Sequence, residues 1–247
     1  MKTVLITGGA SGLGLEISKY LKSIGYNIVI TYNSTKNIDS IIKELGEDIH
    51  AIKCDNRSDE DINNLGRYLK ENDIKIDILI NNSAVCLDSL YEEKTRSNFL
   101  ETLNVNLVGT FLISRLIGDM MYQNKSGVIL NISSTNGIDK YYPMSLDYDA
   151  SKAGINSLTH NLALEYSPFV RVNAIAPGWV KTKNEMKELD EDYIKMEEEK
   201  IFIKRMAEPI EICKIIEFLI SDNASYINNQ IIVADGGTYN GWNNENS

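Results

Sequence analysis

Only three cysteines and two histidines occur in the 247 residues, leaving little material for a disulfide framework or a metal centre. Cys54, Cys86 and Cys213 are widely spaced, odd in number and without metal-ligand spacing. That pattern predicts free, buried thiols in a reducing cytoplasm rather than the bridges of a small secreted domain. His50 and His160 have no acidic or cysteine partner at ligand spacing, so no metal site is expected. Long apolar runs are missing too. No window approaches the roughly 18 uninterrupted apolar residues of a bilayer span, and no membrane association is expected. The apolar run at 3–7 is too short for a signal-peptide core, and glycines follow it at once, which makes it a strand. Positive charge is in deficit: 25 Lys and Arg stand against 35 Asp and Glu. The formal net charge of −10 would repel a polyanion, which argues against nucleic acid as a partner.

An apolar content of 43% with 24% charged residues is the ordinary mix of a globular protein. Strand-like runs fall at 3–7, 27–32, 49–54, 76–81, 127–132, 170–175 and 230–234. They are continuous rather than alternating, as parallel strands covered on both faces should be. Helices are expected between them, at about 12–24 with Gly25 as its stop, at 98–120 and at 147–166. Another begins at Ser58, whose hydroxyl can cap it while Asp61 sits three residues on. Repeated strand–helix–strand units imply one α/β domain over 1–247, a doubly wound parallel sheet of Rossmann type with about seven strands. No repeat, low-complexity stretch or linker marks a second domain. The acidic, lysine-rich stretch 183–200 reads either as an exposed helix or as a mobile flap over a substrate.

Thr7-Gly8-Gly9-Ala10-Ser11-Gly12-Leu13-Gly14 joins the first strand to the first helix. Glycine there lets the backbone turn sharply and approach a pyrophosphate, while the helix N-terminus directs amide N–H groups at the anion. Farther on, Tyr148 and Lys152 stand four apart on a predicted helix and emerge on one face. A phenol of ordinary pKa near 10 is a poor proton carrier at neutrality, and an adjacent ammonium favours its phenolate.

The spacing Thr-Gly-x-x-x-Gly-x-Gly at 7–14 resembles the glycine motif of the short-chain dehydrogenase/reductase family, and the likeness runs along nearly the whole chain. Asn81-Asn82-Ser83-Ala84 is similar to the family's Asn-Asn-Ala-Gly, with its last two positions changed. The resemblance implies a nicotinamide-dependent oxidoreductase interconverting a carbonyl and a secondary alcohol. It assigns Tyr148, Lys152, Ser134 and Asn106 to catalysis, with Asn106 holding a water near the lysine. Ser133 is an alternative to Ser134, since strand alternation lets only one of them face the site easily. Asn104, two residues before Asn106, lacks the glycine at the right distance. A mid-helix asparagine also suits a local kink with a freed carbonyl. Cofactor contacts are implied for Thr7, Gly8, Ser11, Gly12, Leu13 and Gly14, and for Asp55 and Asn56 after the third strand. They are implied as well for Asn82, Ser83 and Ala84, and for Tyr148 and Lys152 themselves. Ala176-Pro177-Gly178-Trp179-Val180-Lys181-Thr182 follows the sixth strand, and Pro177, Gly178, Val180 and Thr182 are expected at the nicotinamide. A homotetramer is implied, with the helices at 98–120 and 147–166 and the last strand at its contacts. Ala153, Leu158, Leu162 and Ala163 suit such helix packing.

At the end of the second strand, Thr31-Tyr32-Asn33-Ser34 is followed by Lys36, with no acid before Asp39. A carboxylate there would bind a ribose 2′-hydroxyl and repel a 2′-phosphate. Its absence favours NADP(H) over NAD(H), with Tyr32, Asn33 and Ser34 at the phosphate, although Ser11 stands where many NADP-binding members carry arginine. By overall pattern the chain resembles bacterial 3-oxoacyl-acyl-carrier-protein reductases. Ser167-Pro168-Phe169 departs from them where arginine is common, leaving Lys125, Lys181 and Lys183 for a basic docking patch. The alternative substrate is a small-molecule alcohol, sugar or ketone, and a non-catalytic dinucleotide-binding sensor is a remote third reading.

Overall fold

The computed structural model describes residues 1–183 and 185–238; Asn184 and the 239–247 end of the expected domain lie outside the described residues. The described residues include seven strands: β1 (Thr3–Ile6), β2 (Asn27–Tyr32), β3 (His50–Lys53), β4 (Ile78–Asn81), β5 (Gly127–Ile132), β6 (Val170–Pro177) and β7 (Ile231–Ala234). Among the described residues nine α-helices surround them: α1 (Gly12–Ser23), α2 (Ile38–Leu45), α3 (Asp59–Glu71), α4 (Arg96–Leu103), α5 (Gly109–Gln123), α6 (Leu146–Glu165), α7 (Glu185–Glu188), α8 (Glu191–Lys200) and α9 (Pro209–Ile220). The strands form one sheet in the order β3-β2-β1-β4-β5-β6-β7. Every pairing is parallel. The Rossmann-type expectation therefore holds, and the strand order reverses between β1 and β4.

The continuous apolar character of the strands has a direct cause. Val4, Ile6, Ile28, Ile30, Ile78 and Ile80 face one core, which α1 and α9 complete through Ile17, Leu21 and Ile216. The intervening Leu5, Val29, Leu79 and Ile129 face a second core, shared with Leu65 and Leu69 of α3 and Ile113, Ile117 and Met121 of α5. Period-two alternation is intact, but both phases are buried, so it is invisible as a polarity pattern.

Arg96–Gln123 forms a continuous helical stretch of 28 residues that is long and apolar enough, by composition alone, to cross a membrane. Here it is a core helix, with Ile113, Ile117 and Met121 fully buried against the sheet. A π-helical turn at Asn104–Val108 divides it into α4 and α5.

Several expectations need correction. β6 runs on through Pro177, which pairs with Ala234, so Ala176 and Pro177 close the strand rather than follow it. Cys54 and Cys213 are buried, but Cys86 is exposed because it sits on the loop after β4. At α3, Ser58 Oγ accepts the Asp61 N–H at 3.1 Å, yet the Asp61 carboxylate does not close a capping box and instead takes the Asp55 N–H at 2.8 Å. Leu162 and Ala163 of α6 belong to the chain's own core and are not free for a subunit contact, whereas Leu164 is 80% exposed.

Candidate active site

The candidate segments at 7–14, 32–34, 55–56, 82–84, 134 and 177–182 lie at or just beyond the carboxyl ends of β1 to β6, the edge of an open α/β sheet on which ligands bind, while Asn106, Tyr148 and Lys152 come from helices. The glycine turn is held from both sides. Thr7 Oγ1 accepts the N–H groups of Asn82 and Ser83 at 2.9 and 3.0 Å, while Asn82 Nδ2 donates to the Thr7 carbonyl at 3.0 Å. From β2, Thr31 Oγ1 accepts the Gly8 N–H at 3.3 Å. Thr7 and Thr31 are buried, so their hydroxyls shape the turn rather than line the crevice. Gly8 has φ +64°, and a Cβ on Gly14 would stand 2.3 Å from the Gly8 carbonyl oxygen. No side chain larger than hydrogen fits at Gly14, so backbone meets backbone there. Ser11 precedes α1 without making a side-chain cap bond, and exposed Ser11 with half-buried Gly12 and Leu13 borders the helix start. Unshielded amides on a helix N-terminus, in a cradle that a Cβ would fill, fit the pyrophosphate of a dinucleotide.

At the adenosine end, half-buried Tyr32 and exposed Asn33 and Ser34 close β2. Arg57 binds the Asp55 carboxylate through Nε and Nη2 and also reaches Glu101, and its guanidinium holds the Asp55 carboxyl below the usual range. Asn56 is buried beside Gly109, and its Nδ2 has no partner among the described residues, as expected of a donor awaiting a ligand acceptor. Ser83 is half-buried and Ala84 exposed at the end of β4.

On the catalytic side, Ser133 and Ser134 divide as strand alternation requires. Ser133 Oγ is turned inward, donating to Asn156 Oδ1 at 2.6 Å. Among the described residues Ser134 Oγ makes only long bonds to Asn136, accepting its N–H at 3.2 Å and donating to its Oδ1 at 3.3 Å. A hydroxyl held that loosely is easily handed to a substrate oxygen. Lys152 Nζ lies 5.3 Å from the centroid of the Tyr148 ring and donates to the Ile132 carbonyl at 2.8 Å. Burial lowers its pKa to about 8, so the ammonium survives at neutrality.

Asn106 is buried while Asn104 is exposed. Its Oδ1 accepts the Val85 N–H at 2.8 Å, and its Nδ2 donates to the Val85 carbonyl and to Ser151 Oγ. The expected kink is the π-turn, but Thr110 Oγ1 already donates to the Asn106 carbonyl at 2.7 Å. Gly178 packs on Asp235, Val180 and Thr182 are buried, and Pro177 ends β6.

Sequence reading missed three groups. Asp147, next to Tyr148, is fully buried and bound by Lys94 Nζ at 2.6 Å and by Thr102 Oγ1. Burial pushes its carboxyl up, but these two donors outweigh that and hold it low. Asp149 fixes the loop between Ser134 and Tyr148, accepting from Asn136 Nδ2 at 2.7 Å and the Tyr142 N–H at 3.1 Å. Glu197 is buried near Trp179. Asp147 and Asp149 flank the tyrosine of a recognisable motif, and that adjacency was the available signal; Glu197 had none within its lysine- and glutamate-rich helix.

Fold and site together define a dinucleotide-dependent oxidoreductase, and comparison with known proteins agrees. The family described as enoyl-(acyl carrier protein) reductase matches residues 8–239. The 3-oxoacyl-[acyl-carrier-protein] reductase FabG of Thermotoga maritima is 34% identical over 96% of this chain and 97% of its own. Glucose 1-dehydrogenase 2 of Bacillus subtilis is 31% identical over 96% of this chain and 94% of its own. An actinorhodin polyketide ketoreductase solved with NADPH superposes with TM-score 0.87 at 27% identity, over 95% of this chain and 96% of its own. This chain belongs to the short-chain dehydrogenase/reductase family and is an NAD(P)-dependent enzyme of that family.

The depressed Lys152 pKa carries a pH prediction. Between about 8 and the ordinary lysine value of 10.5 the folded state holds fewer protons than the unfolded one, so this group's destabilisation of the fold is full below about 8 and fades as pH rises to 10.5. Activity moves the other way, because the neutral amine no longer favours phenolate. For carbonyl reduction, kcat/KM should fall as pH rises through about 8. A profile level to roughly pH 9.5 would show that the Lys152 charge is not used.

Proposed function

We propose that this chain is an NADPH-preferring reductase of 3-oxoacyl thioesters, acting in the cytoplasm through one catalytic domain spanning 1–247. The observation that carries the reading is the convergence of loosely held Ser134, Tyr148 and the buried Lys152 ammonium beside the glycine turn. The bound dinucleotide supplies the hydride. Ser134 orients the substrate carbonyl by donating to its oxygen. Tyr148 gives its phenolic proton to that oxygen as negative charge develops there, and the Lys152 ammonium favours the phenolate left behind. Asn106, locked by Val85 and Ser151, is placed to hold a water through the second lone pair of its carbonyl.

A second reading, a small-molecule alcohol, sugar or ketone as substrate, draws on the surface charges. Lys181 is paired with Glu198 at 2.9 Å, and Lys125 lies over the Phe169 ring at 5.8 Å, which weakens a basic patch for an acidic carrier. The Bacillus subtilis relative named glucose 1-dehydrogenase supports it too. A panel of 3-oxoacyl thioesters on coenzyme A and on carrier protein, with small ketones and sugars, separates the two. Selective turnover of the thioesters is expected. Tyr148→Phe should lose about 10²–10⁴ of that turnover with dinucleotide affinity nearly unchanged; a variant retaining over a tenth would remove Tyr148 as the acid.

The assembly proposed is a homotetramer, supported by Leu100, Val108 and Phe111 on the α4–α5 side, Leu164 on α6, and Phe218 and Val233 near the last strand, all exposed. Light scattering at micromolar concentration should give four times 27.8 kDa, and a stable monomer would refute it.

For the cofactor, Asn33 bonds to Asp55 and Arg57 is engaged by Asp55 and Glu101, so Tyr32 and Ser34 carry most of the 2′ recognition. Tyr32→Asp would add an acceptor for a 2′-hydroxyl and a charge that repels a 2′-phosphate. The ratio of specificity constants should swing toward NADH by about tenfold or more. A wild-type enzyme already preferring NADH would overturn the assignment of residues 31–36.

A further inference from the structure

The helix α8 has one buried residue, and it is a carboxylate: Glu197, 3% exposed. Burying a charge is unfavourable unless donors surround it, and here they come from two segments of the candidate site. Tyr142 Oη, on the loop between Ser134 and Tyr148, donates to Glu197 Oε2 at 3.1 Å. Trp179 Nε1, between Gly178 and Val180, donates to the same oxygen at 3.1 Å. Lys200 Nζ occupies the other oxygen. The rings follow the same path: Tyr142 stands edge-on to Trp179 and Trp179 to Tyr193 of α8, each pair with centroids 6.2 Å apart. The next residue, Glu198, holds Lys181 and the Met206 N–H, which adds a second polar tie.

α8 is thus attached to these two segments by hydrogen bonds to a carboxylate rather than by buried apolar side chains of its own. Such an attachment exchanges readily with water once a single group is lost, unlike the packing of α5 or α9. We propose that Glu197 is a positioning residue that latches α8 onto Tyr142 and Trp179, so that catalytic loop, nicotinamide-side segment and cover form one wall of the substrate cleft. The proposal rests on the reductase reading for its kinetic consequence and on geometry alone for the latch.

The test uses the full chain carrying Trp242→Phe, which leaves Trp179 as its single indole. Glu197→Ala should shift Trp179 emission to longer wavelength and speed tryptic cleavage after Lys187, Lys195 and Lys200 by about tenfold. It should raise KM for the carbonyl about tenfold while kcat changes less than about threefold, the pattern of lost ground-state positioning. Glu197→Gln, which keeps the shape and one acceptor oxygen, should move every readout part-way in the same direction and guards against a variant that fails to fold. Emission and cleavage unchanged in both variants would overturn the latch. Changed emission and cleavage with wild-type KM would overturn its positioning role. If the unmodified site turned over none of the carbonyls while emission and cleavage changed as stated, the reductase reading would fall and the latch would stand.

Discussion

The parallel pairing of β1 with β4 is the constraint on which the site depends. It brings the end of the first strand beside the end of a strand some seventy residues later, with Thr7 N–H donating to the Ile80 carbonyl at 3.0 Å. Because both strands stop at the same level, the threonine hydroxyl that finishes one can take the two amides that begin the loop after the other. The glycine turn is thereby given its shape by β4 and β2 as much as by its own sequence. Everything anchored beyond β4 inherits that placement: Asn106 holds Val85, and Lys94 and Asp147 hold the later part of the same loop against α6.

The catalytic side is organised by buried polar groups, not by apolar packing. Asn81 and Asn131 bond to one another across neighbouring strands at 2.8 Å, and Asn131 continues to Thr159 of α6. Below Tyr148, the Lys94–Asp147 pair leaves neither charge in water, so the loss of either partner would strand the other. Such groups specify a geometry more sharply than hydrocarbon does, since a hydrogen bond tolerates little displacement. The helix bearing the tyrosine and lysine is held within its first two turns by Asp147, bound to Lys94 and Thr102, and by Lys152, which donates to the Ile132 carbonyl.

The fold was legible wherever a local pattern has a local cause. β2 and β5 fall where the apolar runs place them, because parallel strands buried on both faces are apolar at most positions. The glycine turn and the Tyr148–Lys152 spacing were legible because dinucleotide and proton chemistry restrict residue type at fixed separations. What escaped was set by contacts distant in sequence. Asp61 could have completed a cap, but Asp55, six residues back, presented a better-placed N–H. Leu162 and Ala163 look suited to a neighbouring subunit, yet the second core claims them and Leu164 faces outward instead. Glu197 reads as one more surface glutamate until Tyr142 and Trp179, both remote in sequence, arrive beside it.

The π-turn at Asn104–Val108 separates what the helix does for the core from what it does for the site. It inserts an additional residue into one turn of an otherwise continuous helix, so the faces of α4 and α5 are offset relative to a plain α-helix. Removing one residue there would restore ordinary winding and leave α5 facing as it does, with Ile113, Ile117 and Met121 still in the core. What would be lost is the widened turn from which Asn106 reaches Val85 and Ser151. The extra residue therefore serves the site and not the sheet: without it the helix keeps its packing and the asparagine loses its place.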